Sequence, residues 1–456
     1  MFGRWGVFVL AVLAAGAVLS SSAGASTQGV RTVDVSTRAA VVTYLRSLGV
    51  NPHGMVVQRG LHNYVGPSCP GRGWTCTTSK RVLQIATTAS STNTFVCSAS
   101  NAFGGSATPP GDCTVVQVAA TATASNTASC TESSSASDAS QSCVIFQTST
   151  GGANKATVGQ SVSTLAGSSQ TPTQYTGINQ SSADGSNTIT VVQSVTALVN
   201  QVDASGSQSQ NAHQGASLTQ FATGAGNNTS TLSQTQSLKA AAQQRPSLTQ
   251  NQNTDESQGP NTNADFEQTS GSGKNTATSG QSITYVGNIQ QAATGFQQQG
   301  APSNGLAAVF NQSSTGLSTI TGKQTESQTQ RADRIGSLTQ FQYGPAWFDP
   351  NQFSNTGNKY TLNQSSTQNA NDPTFQDDQE YAQCFTSGNC IANEFISQNG
   401  KTTTNSCTGQ SCDFGTTSSN EGGEQSSFTC GGDDSDGCDV SFPDAPPLPP
   451  NPNPLQ

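Results

Sequence analysis

Phe310-Asn-Gln-Ser-Ser314 is a clear copy of a five-residue phrase that recurs along much of this chain. The phrase reads apolar residue, any residue, glutamine, polar or small residue, small residue. In a β-strand the apolar residue, the glutamine and the last small residue of this phrase lie on one face. Other clear copies are Ile145-Phe-Gln-Thr-Ser149, Ile178-Asn-Gln-Ser-Ser182, Phe266-Glu-Gln-Thr-Ser270 and Leu362-Asn-Gln-Ser-Ser366, and looser copies centre on Gln84, Gln117, Gln220, Gln250 and Gln340.

The phrase returns at a nearly constant interval. Gln84, Gln117, Gln147 and Gln180 are separated by 33, 30 and 33 residues. A period of about 20 to 50 residues is typical of solenoids and other stacked arrays. The sequence therefore predicts repeated units that stack on one another.

Each unit has a second half, in which a glutamine follows an asparagine by six residues. A glycine-containing turn such as Gly151-Gly-Ala-Asn154 separates the two halves. The unit is thus predicted to be strand, turn, strand, followed by a variable connection. The pairs are Asn154 and Gln160, Asn187 and Gln193, Asn228 and Gln234, Asn275 and Gln281, and Asn358 and Gln364, with Ser318 and Gln324 as a variant.

Stacking these units predicts columns of amide side chains in the core. Equivalent amides in neighbouring coils lie about 4.8 Å apart, so each donor meets the acceptor of its counterpart. An unpaired buried amide would instead cost about 1–3 kcal/mol. The fold class we expect is all-β, a β-solenoid or β-helix-like stack with Gln/Asn ladders. The expected ladder residues are Gln84, Gln117, Gln147, Gln180, Gln220, Gln268, Gln312, Gln364, Asn154, Gln160, Asn187, Gln193, Asn275 and Gln281.

The second half of the unit resembles the curlin repeat of bacterial curli fibres, which reads Gln, x, Gly, two residues, Asn, x, Ala, three residues, Gln. Asn154-x-Ala156 followed by Gln160 and Asn275-x-Ala277 followed by Gln281 match its end. The first half departs, because glutamine and asparagine are seven residues apart rather than five. The likeness covers short phrases within residues 144–366. It implies an extracellular stacked β fold that can polymerise.

The chain divides into six segments by composition. Residues 1–25 form a signal peptide with an apolar run after Arg4 and the cleavage pattern Ala23-Gly-Ala25. Residues 26–80 form a small N-terminal cap module with a helix at 36–48, capped by Ser36 or Thr37 and ended by Gly49. Residues 81–143, 144–383, 384–438 and 439–456 are the disulfide-stapled first repeats, the Gln/Asn/Ser/Thr-rich β repeats, a Cys-rich C-terminal cap and a Pro-rich disordered tail.

All 12 cysteines lie near the two ends of the repeat tract, which predicts disulfides that staple those ends. By chain order the bonds are Cys69–Cys76, Cys97–Cys113, Cys130–Cys143, Cys384–Cys390, Cys407–Cys412 and Cys430–Cys438. A rival pairing joins residues one coil apart, as Cys97–Cys130 and Cys113–Cys143. The spacing does not decide between them.

Composition indicates where the protein acts. Only 9% of residues are charged and the net charge is −9, so we expect no nucleic-acid partner. After removal of the signal peptide we expect no membrane span. The protein is therefore expected to be secreted, either free outside the cell or retained at the cell surface.

Chemistry-bearing motifs are sparse. The histidines, His53, His62 and His213, are expected to be structural or solvent-exposed, and Cys69 to Cys76 lacks zinc-finger spacing. The acidic cluster Gly432-Asp-Asp-Ser-Asp-Gly-Cys-Asp439 partly matches a calcium loop, which makes Asp434, Asp436 and Asp439 candidate calcium ligands. We expect no other cofactor.

The preferred function is structural: a secreted adhesive protein of the cell surface or extracellular matrix that associates with itself, other surface proteins or glycans. Runs such as Thr188-Ile-Thr190 would display hydroxyl rows on a flat sheet that match ice or glycan surfaces, although threonine is also simply a good strand residue. One alternative is a protein that binds or processes polysaccharides, which clustered carboxylates would support. Another is a disordered extracellular spacer. We expect no enzymatic activity under the preferred interpretation.

Overall fold

The computed structural model describes residues 37–100, 113–165, 167–200, 203, 206–243, 247–252, 262–299, 306–354, 357–371, 375–421 and 424–432. Within them lie a helix, α1 (Arg38–Ser47), and 24 strands. The strands are β1 (Val56–Arg59), β2 (His62–Val65), β3 (Trp74–Thr77), β4 (Arg81–Ala86), β5 (Thr92–Ser100), β6 (Cys113–Ala119), β7 (Ser125–Ser134), β8 (Ser140–Ser149), β9 (Asn154–Thr164), β10 (Ser169–Gln170), β11 (Thr173–Ser182), β12 (Asn187–Val199), β13 (Ser207–Gln210), β14 (His213–Ala222), β15 (Asn228–Gln243), β16 (Ser247–Gln252), β17 (Thr262–Ser270), β18 (Asn275–Gln299), β19 (Leu306–Ser314), β20 (Ser318–Ser354), β21 (Asn358–Ala370), β22 (Phe375–Gln398), β23 (Lys401–Glu421) and β24 (Glu424–Gly432).

Strands from successive coils pair in parallel and in register, which confirms the predicted all-β stacked repeat fold. Sheet A holds the five-residue phrase and runs through β1, β4, β6, β8, β11, β14, β17, β19 and the end of β20. Sheet B holds the second half of the unit and runs through β3, β2, β5, β7, β9, β12, β15, β18, β20, β21 and the end of β22.

A third parallel sheet, sheet C, lies in the connection that we predicted only as variable. It runs through β10, β13, β16, the end of β18 and the middle of β20, and reaches the start of β22. From the coil that contains β8 and β9 onward, the chain passes through sheets A, B and C in turn. Coils of different length are accommodated because the register is kept within each sheet separately.

The core follows the period-two pattern of the sequence. In β12, buried residues alternate with partly or fully exposed ones along all 13 positions. In sheet A the apolar residue of the phrase forms an inner column that includes Ile178, Leu218, Phe266 and Phe310. The rings of Phe266 and Phe310 stack with their centroids 4.4 Å apart. The apolar column is narrow because the neighbouring inward positions are amides and small residues.

The turn between sheets A and B explains the small residue that ends the phrase. A Cβ atom on Gly226 would lie 2.2 Å from the carbonyl oxygen of Gly185, so only glycine fits where successive turns stack. Ser182 Oγ donates a hydrogen bond to Gly185 O at 2.5 Å, and Ser270 Oγ donates to Gly273 O at 2.9 Å. The serine hydroxyl therefore satisfies a turn carbonyl within its own coil.

Helix α1 lies on the outer face of sheet A. Thr37 Oγ1 accepts a hydrogen bond from Ala40 N, and Gly49 follows the helix with φ +72°, as predicted for its two ends. Ser36 lies outside the described residues. The helix packs Val41 and Leu45 against outward apolar residues of the first coils, Leu83, Ile85, Val116 and Val118. Those strands are consequently buried on both faces.

Parallel pairing begins inside the segment that we assigned to the N-terminal cap, because β1 pairs with β4 and β2 pairs with β5. At the other end, β23 pairs with β22 and β24 pairs with β23, both in antiparallel fashion. The edge strand of the last parallel coil is thus covered by strands of opposite direction. The predicted signal peptide (1–25) and tail (439–456) lie outside the described residues.

Candidate functional site

The glutamines of the phrase form one continuous ladder in sheet A. Each side-chain amide donates to the Oε1 atom of the glutamine in the preceding coil, over 2.6–3.0 Å. Its second N–H donates to a sheet B backbone carbonyl, as from Gln180 Nε2 to Thr188 O at 3.0 Å. The ladder therefore joins neighbouring coils and ties sheet A to sheet B. Its members are Gln58, Gln84, Gln117, Gln147, Gln180, Gln220, Gln268, Gln312 and Gln352.

An asparagine ladder runs beside it with the opposite polarity. Asn154 Nδ2 donates to Asn187 Oδ1 of the following coil at 2.8 Å, whereas each glutamine donates toward the preceding coil. The dipoles of the two ladders therefore oppose each other, which limits the field that a single buried ladder would build up. The asparagine ladder joins Asn63, Asn93, Asn126, Asn154, Asn187, Asn228 and Asn275.

A second glutamine column occupies sheet B, and it contains the predicted residues Gln160, Gln193 and Gln281. Gln364, which the sequence placed both in a copy of the phrase and in the second-half pair with Asn358, belongs here, because its Nε2 donates to Gln324 Oε1 at 2.8 Å. The sheet A position that we had expected for it is occupied by Gln352. The full column is Gln160, Gln193, Gln234, Gln281, Gln324 and Gln364.

Sheet C carries two further glutamine columns, which the sequence did not predict. Gln250 and Gln340, which we treated as loose copies of the phrase, stack here rather than in sheet A. Their strands share the local apolar-x-Gln pattern, so the pattern alone does not reveal the sheet. The columns are Gln208, Gln250, Gln297 and Gln340, and Gln170, Gln210, Gln252, Gln299, Gln342 and Gln376.

Three buried glutamates interrupt the amide pattern. Glu132 and Glu394 occupy the positions before and after the sheet B glutamine column, and Gln160 Nε2 donates to Glu132 Oε2 at 2.9 Å. Glu326 of β20 points into the core of the solenoid. Burial raises its pKa to about 8, although a hydrogen bond from Gln328 opposes the shift. None of the three was singled out from the sequence. The signal that could have revealed them is a glutamate at a strand position whose neighbours in the alternation predict an inward side chain.

The cysteine pairing follows chain order in the bonds that the structure shows. Cys69–Cys76 and Cys97–Cys113 are disulfides, so the rival pairing of Cys97 with Cys130 is wrong. Cys130 and Cys143 are buried free thiols, so the predicted Cys130–Cys143 bond is not formed in this structure. At the other end Cys390 is disulfide-bonded, and the antiparallel register sets Cys384 opposite Cys412, with Cys407 opposite Ala392. Cys430 lies in β24, and Cys438 lies outside the described residues.

The outer surface of sheet B displays a two-row array of threonines, which we call the hydroxyl face. Neighbours within a row lie one strand spacing apart, about 4.8 Å, and the two rows are about 7 Å apart. Lys155 and Lys359 border the shorter row, and the threonines between them carry no charge. The rows are Thr157, Thr190, Thr231, Thr278, Thr321 and Thr361, and Thr188, Thr229, Thr276 and Thr319.

The outer surface of sheet A carries a cluster of titratable side chains, which we call the carboxylate patch: Tyr175, His213, Asp265 and Glu267. Desolvation against the sheet raises the pKa of Asp265, although this residue is exposed on the outer surface, and the nearby charge of Glu267 raises it further. Burial also raises the pKa of Tyr175, with a smaller contribution from Asp265, and lowers the pKa of His213. The Tyr175 ring lies over Gly215, its partner in register, and next to Gly177, two residues further along its own strand. Neither glycine has a side chain that would block the ring.

Of the other two histidines, His62 lies in β2 and His53 lies between α1 and β1. His62 Nδ1 is 3.0 Å from Thr92 Oγ1, and its ring lies 5.0 Å from that of Trp74. His53 is exposed and its backbone N–H donates to Asn51 Oδ1. The candidate calcium ligands Asp434, Asp436 and Asp439 lie outside the described residues. Among the residues that are described, no helix is long and apolar enough to cross a membrane.

Comparison with known proteins returns no match to any family model, to any curated protein or to any solved structure. The likeness to curlin stays a resemblance carried by the short phrases quoted above. The two disulfides are compatible with an extracellular protein.

Proposed function

We propose that this protein is a secreted structural protein of the cell surface or extracellular matrix that adheres through the hydroxyl face of its solenoid. The observation that carries the proposal is the regular, uncharged threonine array held on a rigid parallel sheet. Side chains fixed in this way lose little conformational freedom on binding, so many weak hydrogen bonds to a repetitive partner add up. Other surface proteins, glycans or a second copy are the partners that fit.

The two ends of the solenoid favour lateral adhesion over end-to-end growth. Gln58 is the first glutamine of the sheet A ladder. Its Nε2 donates to Tyr64 O at 3.1 Å and to Thr75 O at 2.8 Å, so its amide N–H groups are already bonded within the chain. The last parallel coil is covered by antiparallel β23. An incoming copy would therefore meet an antiparallel strand at the C-terminal end and a ladder amide that is already bonded within the chain at the N-terminal end, and we expect the intact chain to remain monomeric in sedimentation.

A matched pair of variants tests the adhesive face. Thr190→Lys, Thr231→Lys and Thr278→Lys together would place three charges on the hydroxyl face. The control carries Ser181→Lys, Thr269→Lys and Ser313→Lys on the outer surface of sheet A, where the same number of charges is added. Binding of the full chain is measured to polysaccharide particles, protein-coated plates and its own immobilised copy.

We expect the hydroxyl-face variant to lose at least about tenfold in affinity for one of these surfaces. Each introduced lysine that is buried against the partner without a matching group costs about 1.4 kcal/mol or more. The control should bind as the wild type does. Equal binding by both variants, or no binding of the wild type to any surface, would contradict the proposal.

A second candidate function, polysaccharide processing, is supported by the carboxylate patch. Asp265 and Glu267 are two positions apart on one face of β17, which places their Cα atoms about 7 Å apart. Side chains at that backbone spacing can bring their carboxyl groups to the separation of about 6.5–9.5 Å found in inverting glycosidases, which use one of the two as an acid with a raised pKa. Release of reducing ends from soluble glucans, xylans and chitin oligomers, abolished by Asp265→Asn, would support this function. Unchanged release would refute it.

A further inference from the structure

Four cysteines converge in the core of three successive coils of sheets A and B, those of β4 and β5, of β6 and β7, and of β8 and β9. Cys97 and Cys130 are partners in register in sheet B, and Cys113 and Cys143 are partners in sheet A. The sulfur atoms of Cys97, Cys113 and Cys130 lie within 4.8 Å of one another. Cys130 and Cys143 therefore repeat, one coil later, the arrangement of the bonded pair.

The bonded pair joins one coil to the next. Cys97 lies in β5 and Cys113 begins β6, so their disulfide, at a sequence separation of 16 residues, joins those two coils with Cα atoms 6.3 Å apart. Cys130 in β7 and Cys143 in β8 flank the following connection in the same way. The two side chains are close enough to interact, because Cys130 contributes to the raised pKa of the Cys143 thiol. A disulfide needs this kind of proximity between Cβ atoms that face each other.

We propose that Cys130 and Cys143 are the site of a second covalent staple, which forms while the coil of β8 and β9 is folding and is closed to redox reagents afterwards. The proposal does not depend on the adhesive function. Whether Cys130 and Cys143 are bonded or free is then decided by the redox conditions during folding.

The reaction needs a disulfide oxidant such as oxidised glutathione. The thiolate of one cysteine attacks the oxidant, forms a mixed disulfide and releases one glutathione thiolate. The second cysteine then attacks the mixed disulfide through its thiolate and releases the other glutathione. The two cysteines lose two protons and two electrons in total, and the oxidant is reduced to two thiols.

Burial closes this route in the folded protein. Cys130 and Cys143 are both 0% exposed, so a reagent the size of glutathione has no access to either sulfur. Burial also raises the pKa of the Cys143 thiol well above its ordinary value, and Cys130 and the charge of Glu132 raise it further. Because the thiolate is the reactive form, both effects slow exchange once the coil has closed.

The test uses the full chain, reduced and unfolded, then refolded with or without oxidised glutathione. Iodoacetamide is added to each sample before or after denaturation, and the labelled cysteines are identified by mass spectrometry. We expect chain refolded with the oxidant to show no label on Cys130 or Cys143 under either condition. Chain refolded without it should resist both iodoacetamide and later oxidant until denaturation exposes the two thiols.

Two results would overturn the proposal. One is labelling of both cysteines after denaturation of chain refolded with the oxidant. The other is release of one zinc ion per chain together with four labelled thiols, which would indicate a thiolate metal site instead. Cys143→Ser is the matched control, since Cys130 should then be labelled after denaturation whichever way the chain was refolded.

Discussion

Glu326 gives the fold a pH dependence that a glutamine at the same position would remove. Its side chain lies in the core, in register between Ile283 and Ser366. Gln328 Nε2 donates to one of its carboxyl oxygens at 2.6 Å, and the other oxygen has no partner among the described residues. Burial raises the pKa to about 8, with the Gln328 hydrogen bond acting in the opposite direction.

The sign follows from the two states of the chain. Below pH 4.5 the carboxyl group is protonated in both states, and its contribution to stability is fully present. Between pH 4.5 and about 8 the unfolded chain ionises while the folded chain stays protonated, so stability falls as pH rises. Above about 8 the loss is complete. The difference between the two pKa values corresponds to about 5 kcal/mol.

Urea unfolding of the wild type and Glu326→Gln at pH 4.5, 6, 7.5 and 9 measures this effect. The two proteins should unfold at similar urea concentrations at the lowest pH, and the variant should become progressively more stable above it. Asp184→Asn, which removes an exposed carboxylate in a turn, is the control and should show no such divergence. A difference between wild type and Glu326→Gln that is the same at all four pH values would refute the reasoning.

Two further substitutions test the stacked turn and the amide ladder. Gly226→Ala should lower the thermal midpoint, because its Cβ would lie 2.2 Å from Gly185 O, whereas Gly159→Ala should not, since nothing lies within 4 Å of the added atom. Gln220→Leu should cost about 2–4 kcal/mol of unfolding free energy, because Gln180 and Gln268 each lose a buried partner. Thr219→Leu on the outer face is its control, and equal midpoints for either variant and its control would argue against the stacking geometry.

The register of sheets A and B was predictable because the positions of the amide residues and the period-two alternation both identify the inward face of each strand. An inward glutamine needs an equivalent glutamine one coil away, so the intervals between Gln84, Gln117 and Gln147 already mark the coil length. The same argument fails where two strands share a pattern. Leu362-x-Gln364 matches the sheet A phrase while Asn358 and Gln364 match the second half of the unit, and the structure places the strand in sheet B.

Features that depend on irregular connections were not predictable in the same way. Sheet C arises from segments of variable length between the recognisable halves of the unit. The position of α1 on the outer face of sheet A did leave a signal, since Leu83 and Ile85 make β4 apolar on both faces. The carboxylate patch has no such signal. Tyr175 and Asp265 are 90 residues apart in sequence, and they come close only because β11 pairs with β14 and β14 pairs with β17.

The stacking of coils in register is the central claim, and pulsed electron-spin resonance between labels at positions 190 and 361 tests it most directly. Thr190 and Thr361 are four strand spacings apart along one row of the hydroxyl face, which gives about 19 Å between their backbones. The fold predicts a narrow distribution of distances within about 10 Å of that value, the allowance being the reach of the two labels. A broad distribution near about 70 Å, expected for 171 residues of flexible chain, would contradict it.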